Sequence, residues 1–385
     1  MKTALGMIIR SLTSDDLLCS FIDNAEKHGH KLDCLIVAYS HELDRGVADR
    51  LSRRLPFYSI DIKAPNYCAG RLRELDVTDA AARTLLECPV DISGGLIPYG
   101  YKRTVLTAEA ILRGMDVLFF VDSDVYPTVL KMTSEGPKTA DADFFGAHLH
   151  YLNNGSMVTT GEYSGYNILP PAEFDGMDDL LFGLQKDDML DYWHKSGTHK
   201  CLWVQQEAPV PTPCVKVLGG NCAIKLSAFS RLPPFFSSFY TVGGELFLSR
   251  GEDTMLGDGI ARSGTVCTDI GFNPLHDTYK SFPTIPDLRG NPADQERFYY
   301  ACTGWIGRNP LLNYVRGNDL TAYRQPRRER LERGLRALAE YTQNPRYLGV
   351  LENFDVSWDN LGRYVSEYER VLDAWAQFIE RSGHI

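Results

Sequence analysis

Two aspartates separated by a single serine carry the strongest chemical signal in this sequence of 385 residues. Asp122, Ser123 and Asp124 directly follow the apolar run of residues 117–121. Two carboxylates one residue apart at a strand end can turn their oxygens toward one hard divalent cation, and Mg²⁺ and Mn²⁺ prefer oxygen ligands that they share with substrate phosphates. A solvated turn can contain the same triplet. Because an apolar strand precedes it here, we interpret the triplet as a binding site for Mn²⁺ or Mg²⁺.

Two further segments contain residues suited to an anionic or closely packed ligand. Lys102 and Arg103 open an amphipathic segment, where a cation and a helix N-terminus would both favour a phosphate, although ordinary surface cations would look the same. Gly219 and Gly220 precede Asn221 in "LGGNCAIKLSAF". Glycine lets the backbone approach a ligand closely, and a tight turn before a strand would need it equally.

Two acidic residues and a histidine complete the set of candidates. Glu252 and Asp253 begin an apolar-periodic segment, so they are either helix-capping residues or chemically active carboxylates. His276 stands alone in "GFNPLHDTYKSFP". A lone histidine is often structural, but neutral imidazole is also a common metal ligand.

The elements that must position these residues alternate between strand and helix patterns. Short apolar runs of strand length recur, and the segments between them have helical periodicity, capping residues or a terminal glycine. Repeated β-α-β units predict an α/β fold with a mostly parallel sheet and helices on both faces, and ligands bind beyond the carboxyl ends of its strands. The predicted strands are 3–9, 32–39, 57–62 and 116–124, and the predicted helices are 15–29 and 102–114.

The second half of the chain is less regular. Residues 150–215 are rich in Gly, Pro and aromatic residues, and so long a loop region is typically functional. Two amphipathic helices, 327–342 and 358–381, are predicted to pack as a C-terminal helical extension. We therefore divide the chain into residues 1–310 and an extension of residues 311–385. The aromatic residues that could form an acceptor lid, or equally pack in the core, are Tyr192, Trp193, His194 and Trp203.

Composition narrows the class of protein. A formal net charge of −10 argues against general nucleic-acid binding, but it allows an anionic small molecule held by a few cations. The nine cysteines show no Cys-any-any-Cys spacing, which is typical of reduced thiols in the cytoplasm. The first apolar run soon meets Arg10, so we expect no signal peptide. The sequence has no stretch of 18 apolar residues, so we expect no membrane-spanning helix. Assembly into a homo-oligomer stays open.

The ordered segments resemble the GT-A fold of nucleotide-sugar glycosyltransferases over about residues 3–280. The order Asp-Ser-Asp, Gly-Gly-Asn, Glu-Asp and His is similar to that of retaining families such as mannosylglycerate and glucosyl-phosphoglycerate synthases. This resemblance implies a Rossmann-like GT-A domain that moves a sugar from a UDP- or GDP-linked donor to the hydroxyl of an unidentified acceptor. It also implies a Mn²⁺ or Mg²⁺ cofactor and favours retention at the anomeric carbon.

The resemblance assigns roles residue by residue. Asp122, Asp124 and His276 would bind the metal. Asp253, with Glu252 beside it, would orient the acceptor in a retaining enzyme, or act as general base in an inverting one. One departure is Tyr101, which stands where the family often has a small residue in a Gly-Lys-Gly turn. The residues implied to contact the donor are Arg10, Ser11, Tyr39, Lys102, Arg103, Asp122, Ser123, Gly219, Gly220, Asn221 and Tyr279.

Two other functions fit parts of the pattern. A nucleotidyltransferase also uses paired aspartates on an α/β sheet, but its Gly-rich signature with Arg and Lys is missing near "TALGMIIRS". A non-enzymatic sugar- or metal-binding module would tolerate a degenerate site, whereas the acidic residues and the histidine are all present here. The nucleotide product separates the two enzymes, because a glycosyltransferase releases a diphosphate and a nucleotidyltransferase releases pyrophosphate.

Overall fold

An eight-stranded sheet forms the centre of the protein, in the order β10-β14-β7-β11-β4-β1-β2-β3. The computed structural model describes residues 1–91, 98–190 and 202–383. The described strands are β1 (Thr3–Leu12), β2 (Cys34–Leu43), β3 (Phe57–Asp61), β4 (Val117–Asp122), β5 (Val125–Thr133), β6 (Gly136–Asp141), β7 (Val158–Thr160), β8 (Gly165–Tyr166), β9 (Leu202–Trp203), β10 (Thr212–Pro213), β11 (Asn221–Lys225), β12 (Phe239–Val242), β13 (Glu245–Leu248), β14 (Cys267–Asp269) and β15 (Pro274–His276).

The sheet is mostly parallel, as the alternating sequence pattern predicts. Strands β3, β2, β1 and β4 are parallel neighbours. Strand β11 is antiparallel to both β4 and β7. Strands β7 and β14 are parallel to each other and therefore run in the same direction as β4. Only the edge strand β10 then reverses again among the strands of this sheet that the structure describes. The carboxyl ends of β1, β2 and β4 consequently meet at one edge.

Helices surround the sheet and connect its strands. The described α-helices are α1 (Asp16–Lys27), α2 (Arg45–Arg54), α3 (Asn66–Glu74), α4 (Asp79–Leu86), α5 (Tyr99–Leu112), α6 (Phe144–Asn153), α7 (Met177–Gly183), α8 (Glu252–Ser263), α9 (Pro292–Val315), α10 (Leu320–Thr342), α11 (Val350–Asp359) and α12 (Leu361–Ser382). None of the described helices is long and apolar enough to cross a membrane.

The alternation of side chains in β1 explains why both faces of the sheet are covered. Ala4 and Ile8 belong to one buried apolar cluster, while Leu5 and Met7 belong to another on the opposite face. Between them, a Cβ atom at Gly6 would lie 2.5 Å from Leu106 of α5. The missing side chain therefore lets α5 lie directly on the sheet, and α5 positions Lys102 and Arg103.

The C-terminal part is more continuous with the rest than its sequence suggests. Helix α9 runs through residue 310, so the predicted boundary falls inside a helix. The predicted helix 327–342 begins earlier, at Leu320, and the predicted helix 358–381 is divided between α11 and α12. Of the aromatic residues considered for a lid, Trp203 lies in β9. Tyr192, Trp193 and His194 lie outside the described residues.

Candidate active site

Strand pairing brings the Asp-Ser-Asp segment next to His276. Asp122 is the last residue of β4, and β5 begins at Val125, so the segment forms the turn between these strands. Strand β15 is antiparallel to β5 and sets His276 opposite Val125. Nε2 of His276 consequently lies 3.1 Å from Oδ1 of Asp124, although 152 residues separate them in the chain.

The imidazole of His276 is held on two sides. Oγ1 of Thr278 lies 3.0 Å from Nδ1, which leaves Nε2 to face Asp124. The ring of Tyr163 packs against the imidazole with a centroid separation of 4.5 Å. Contacts of this kind fix the ring orientation and the nitrogen that a metal-binding histidine presents.

Asp124 is an ionised carboxylate at neutral pH. Burial alone would raise its pKa, but the charge and hydrogen bond of His276, with Arg297 and Lys280 nearby, outweigh burial and hold the pKa at about 2. Nη2 of Arg297 lies 3.3 Å from the second carboxylate oxygen. Asp124 therefore offers a negative charge toward the site.

Arg103 connects three of the segments that contain candidate site residues. Its buried guanidinium donates from Nη2 to Asp122 at 2.7 Å, from Nε to Glu252 at 2.9 Å and from Nη1 to the carbonyl of Gly219 at 3.0 Å. The sequence predicts a donor-binding role for this residue. In the structure all three of its nitrogens are hydrogen-bonded to the protein, so Arg103 holds other site residues in position.

The two carboxylates bound by Arg103 are costly to ionise because Glu252 is buried and Asp122 is partly buried. Desolvation raises the pKa of Glu252 to about 7, against the opposing charge of Arg103. Desolvation likewise raises the pKa of Asp122, which Arg103 only partly offsets. The ionised forms of both side chains therefore depend on the positive charge of Arg103.

The paired glycines make room for side chains of the site. A Cβ atom at Gly219 would lie 2.7 Å from the Arg103 guanidinium, and one at Gly220 would lie 2.5 Å from Oδ2 of Asp122. Their N–H groups donate to Oδ2 of Asp253 at 3.1 Å and to the Tyr163 hydroxyl at 2.9 Å. Close approach of the protein's own side chains explains both glycines, so a contact with a donor sugar stays a prediction.

Asp253 lies at the first turn of α8 with a fixed orientation. Besides the bond from Gly219, its Oδ1 accepts the N–H of Thr254 at 2.7 Å. Asp253 also lines the main cavity of the site. The carboxylate therefore accepts a backbone N–H of the first turn of α8 and also faces the cavity, while the N-cap position itself is occupied by Gly251.

The residues fit a divalent cation in part. Neighbouring ligands of an octahedral ion at about 2.1 Å stand about 3 Å apart, which matches the separation of Asp124 and His276. Within the described residues, no group of three or more His, Cys, Asp and Glu side chains is arranged as a complete metal site. Asp122 directs one oxygen to Arg103, so its predicted role as a metal ligand stays a prediction.

A cavity of about 760 Å³ opens in front of these groups. Its described lining includes nine Lys and Arg residues but six Asp and Glu residues, in a chain whose net charge is −10. The excess of cations suits an anionic ligand. The nine are Arg103, Lys186, Lys216, Arg250, Lys280, Arg297, Arg308, Arg316 and Arg327.

Comparisons with known proteins find similar solved structures. No protein-family model matches the chain, and no curated protein sequence matches it. A structure described as a mycobacterial protein has 15% identity and a TM-score of 0.40, with 82% of this chain and 75% of that chain covered. Glucosyl-3-phosphoglycerate synthase from Mycobacterium tuberculosis, in complex with Mn²⁺ and UDP-glucose, has 14% identity and a TM-score of 0.39, with 82% and 79% covered. The same enzyme in complex with phosphoglyceric acid has 14% identity and a TM-score of 0.36, with 80% and 79% covered.

The residues predicted to contact the nucleotide lie within the second halves of β1 and β2, because these strands extend beyond their predicted ends to Leu12 and Leu43. The register of the β1–β2 pair shifts between Ile9 and Ser11. Arg10 and Ser11 lie at this shift, and Tyr39 is paired with Ile9 just before it. Lys102 is fully buried beneath it and donates to the carbonyl of Ile9 at 2.6 Å and to the Ser40 hydroxyl at 2.9 Å. None of the four predicted residues lines the cavity described above. Their contact with a nucleotide stays a prediction.

Three other predicted donor contacts differ in their surroundings. Ser123 lines the cavity between the two aspartates. The Tyr279 hydroxyl donates to the carbonyl of Ile168 at 2.8 Å. Asn221 is fully buried, and its amide nitrogen donates to the carbonyls of Glu162 and Phe272, each at 2.9 Å. Asn221 therefore anchors the start of β11 in the structure.

Helix α9 carries a further signal of the site that is visible in the sequence. Arg297, Trp305, Arg308 and Leu312 all line the cavity from α9. Their spacings of eight, three and four residues place them on one face of a helix. Two arginines and a tryptophan on one face of a helix indicate that this face borders a binding cavity. Tyr163, in contrast, gave no such signal, because it lies in a loop.

Proposed function

We propose that this protein is a metal-dependent GT-A glycosyltransferase, which transfers a sugar from a nucleoside-diphosphate sugar to an acceptor hydroxyl. The contact of 3.1 Å between Asp124 and His276 is the observation that carries the proposal. It joins a carboxylate at the end of a parallel strand to an imidazole whose other nitrogen is already engaged by Thr278. Ligands of α/β sheets bind at such strand ends.

Asp124 and His276 would hold Mn²⁺ or Mg²⁺ beside the diphosphate of the donor. When bound, such an ion stabilises the negative charge that develops on the leaving diphosphate and orients the donor. Among the described residues, three lining cations have no carboxylate within 4.0 Å, namely Arg250, Lys280 and Arg308. Fixed cations directed at the leaving oxygens would add electrostatic stabilisation.

Other residues of the chain would position the donor site and orient the acceptor. Arg103 keeps Asp122, Glu252 and the Gly219 carbonyl in one arrangement, which favours a preorganised site. Asp253 would orient the acceptor hydroxyl, because its carboxylate is fixed by two backbone N–H groups and borders the cavity. We assign acceptor binding to the side of the cavity that is lined by residues of α9 and α10.

We further propose that the sugar is transferred with retention. Both oxygens of Asp253 accept backbone hydrogen bonds, which suits an orienting carboxylate better than a freely moving general base. The anomeric configuration of the first product, followed by proton NMR, tests this assignment. A product of inverted configuration would instead make Asp253 the base.

Thermal unfolding with nucleotide sugars tests the proposed function directly. The protein is melted with UDP-glucose or GDP-mannose, each with Mn²⁺ and with EDTA, because a ligand that binds only the folded state raises its stability. We expect stabilisation only when the nucleotide sugar and Mn²⁺ are both present. Asp124→Ala should abolish this shift, and Asp141→Ala should leave it unchanged, since Asp141 is an exposed partner of Lys27.

Slow hydrolysis of the donor provides the second readout. Nucleoside diphosphate should accumulate with the parent protein and Mn²⁺, and should not accumulate with Asp124→Ala. In a separate assay with a nucleoside triphosphate and a sugar phosphate, release of pyrophosphate would instead identify a nucleotidyltransferase. Donor binding that EDTA leaves unaffected would contradict the metal assignment.

A further inference from the structure

Two cysteines lie side by side at the edge of the central sheet. Cys214 directly follows β10, and the antiparallel register of β10 and β14 sets it opposite Cys267. The N–H of Cys214 donates to the carbonyl of Cys267 at 3.1 Å. Their Sγ atoms are 3.4 Å apart. Within the described residues, no other two cysteine sulfurs lie within hydrogen-bonding distance.

The two thiols differ in exposure and in acidity. Cys214 is half-buried, whereas Cys267 is buried. The hydrogen bond from the Cys267 thiol lowers the pKa of Cys214, although burial opposes this effect. The same bond, together with burial, raises the pKa of Cys267. The more accessible sulfur is therefore also the better nucleophile, because the thiolate is the reactive form.

We propose that Cys214 and Cys267 form a reversible disulfide when the protein is exposed to hydrogen peroxide. The Cys214 thiolate attacks one peroxide oxygen, the O–O bond breaks, and the released hydroxide takes up a proton to become water. The resulting sulfenic acid reacts with the Cys267 thiol, which forms the S–S bond and releases a second water. Two electrons from the sulfurs thereby reduce one peroxide to two waters.

Little movement is needed for this reaction. A disulfide has an S–S distance of about 2.05 Å, so the sulfurs must approach by about 1.4 Å. Both residues of β10 are exposed and belong to a two-residue edge strand. A short strand at an edge can follow the side chains more easily than a strand in the middle of the sheet.

The cysteine pair is connected to the candidate active site through a short segment. Two positions after Cys214, residues 216–218 line the cavity, and Gly219 follows them directly. The Cys214 thiol also contacts the carbonyl of Lys216 at 3.5 Å, a contact that the disulfide would remove. We therefore expect oxidation to shift this segment and to weaken binding at the cavity.

Peptide mapping of the full-length protein tests the modification independently of the proposed function. The protein is treated with hydrogen peroxide, the remaining thiols are alkylated, and the digest is analysed by mass spectrometry with and without dithiothreitol. We expect one cross-linked peptide pair that contains Cys214 and Cys267, lacks two hydrogens and separates on reduction. Cys214→Ser should prevent the cross-link, and the matched variant Cys19→Ser should retain it.

Two results would overturn the proposal. One is alkylation of both cysteines after peroxide treatment that oxidises other thiols. The other is oxidation of Cys214 to a sulfinic acid with no cross-link in the parent protein. The effect on binding is read from the Mn²⁺-dependent thermal shift with a nucleotide sugar, which oxidation should reduce in the parent and leave unchanged in Cys214→Ser. If no nucleotide sugar binds even the reduced protein, the proposed function fails while the mapping result still stands.

Discussion

At the scale of single residues, the candidate site depends on a position that has no side chain. Gly220→Ala would place a Cβ atom 2.5 Å from Oδ2 of Asp122 and 2.8 Å from the Tyr163 hydroxyl. Neither neighbour can yield easily, because Arg103 holds the other oxygen of Asp122 and Tyr163 packs against His276. We expect this variant to lose most of its donor-hydrolysis activity. Its free energy of unfolding should fall by about 1–3 kcal/mol, which lowers its melting temperature.

Gly70→Ala is the matched control for this substitution. Gly70 lies inside α3, and a Cβ atom there would have no neighbour within 4 Å. Alanine is the better helix former by about 1 kcal/mol, so the control should be as active as the parent and at least as stable. Equal activity of Gly220→Ala and the parent would show that the close approach of Asp122 is unimportant.

Asp253→Asn separates orientation of the acceptor from binding of the donor. The amide keeps the shape of the carboxylate but loses its charge, and because its nitrogen only donates, one of the two bonds from backbone N–H groups is lost. We expect turnover to fall far more than donor affinity, which steady-state kinetics and titration with the nucleotide sugar would measure. Asp141→Asn is the control, since Asp141 is an exposed partner of Lys27 and does not line the cavity. A large loss of donor affinity with turnover preserved would assign Asp253 to the donor site.

At the scale of elements, α5 is the helix that organises the site. Its Arg103 donates hydrogen bonds to Asp122 and Glu252. Its Lys102 donates to Ile9 of β1 and Ser40 of β2. The sequence predicts both residues as phosphate ligands because it shows a cation at a helix start. It could not reveal that both side chains are buried and hydrogen-bonded to the protein, since this depends on strands that are distant in the chain.

Lys102 gives α5 a measurable pH dependence. Burial lowers its pKa from 10.5 to about 7, so between these pH values the folded protein binds fewer protons than the unfolded chain does. The free energy of unfolding should therefore rise with pH across this window, by at most about 1.4 kcal/mol per pH unit from this group. Urea denaturation at several pH values would measure the rise.

Lys102→Met isolates the contribution of this amine. Methionine fills a similar volume without a titrating group, so the difference in stability between parent and variant should grow with pH from 7 to 10.5. Parallel stability curves for the two proteins would contradict a buried amine that loses its proton. The variant also removes the bonds to Ile9 and Ser40, which lowers its stability at every pH.

The α/β class with a mostly parallel sheet was the most predictable feature, because apolar runs and helix caps recur with β-α-β spacing. The meeting of Asp124 and His276 was also predictable, although only through the resemblance in the order of motifs. The small sheet of β15, β5 and β6, which brings these two residues together, was not foreseen. Its strands contain exposed polar residues such as Lys131 and Lys138, so they lack the apolar runs on which the prediction depended.

At the scale of the whole molecule, the C-terminal helices close the apolar core. Trp375 and Phe378 of α12 belong to the same buried cluster as Ala4 and Ile8 of β1. The Thr78 hydroxyl, at the start of α4, donates to the side chain of Gln377 in α12 at 2.9 Å. The last helix therefore packs directly on the part of the fold that begins the chain.

Helices α7 and α10 show the same interdependence. A Cβ atom at Gly183 would lie 2.5 Å from Leu331, and one at Gly334 would lie 2.3 Å from the backbone of Leu180. A glycine on each helix thus permits close contact with the other. Such a reciprocal fit indicates that α7 and α10 form one packed unit, although the predicted boundary at residue 310 would separate them.

A chain shortened to residues 1–310 should therefore fail to fold cooperatively. The deletion cuts α9 before its end and uncovers the partners of buried residues in α10, among them Leu331, Leu335 and Leu338. We expect the fragment to aggregate or to unfold without a sharp transition. In the full chain, Leu335→Ala should cost about 2–5 kcal/mol in urea denaturation, whereas Leu348→Ala should cost far less, because Leu348 is 49% exposed. A soluble fragment of residues 1–310 with a sharp transition and Mn²⁺-dependent donor binding would instead establish the C-terminal helices as a separable extension.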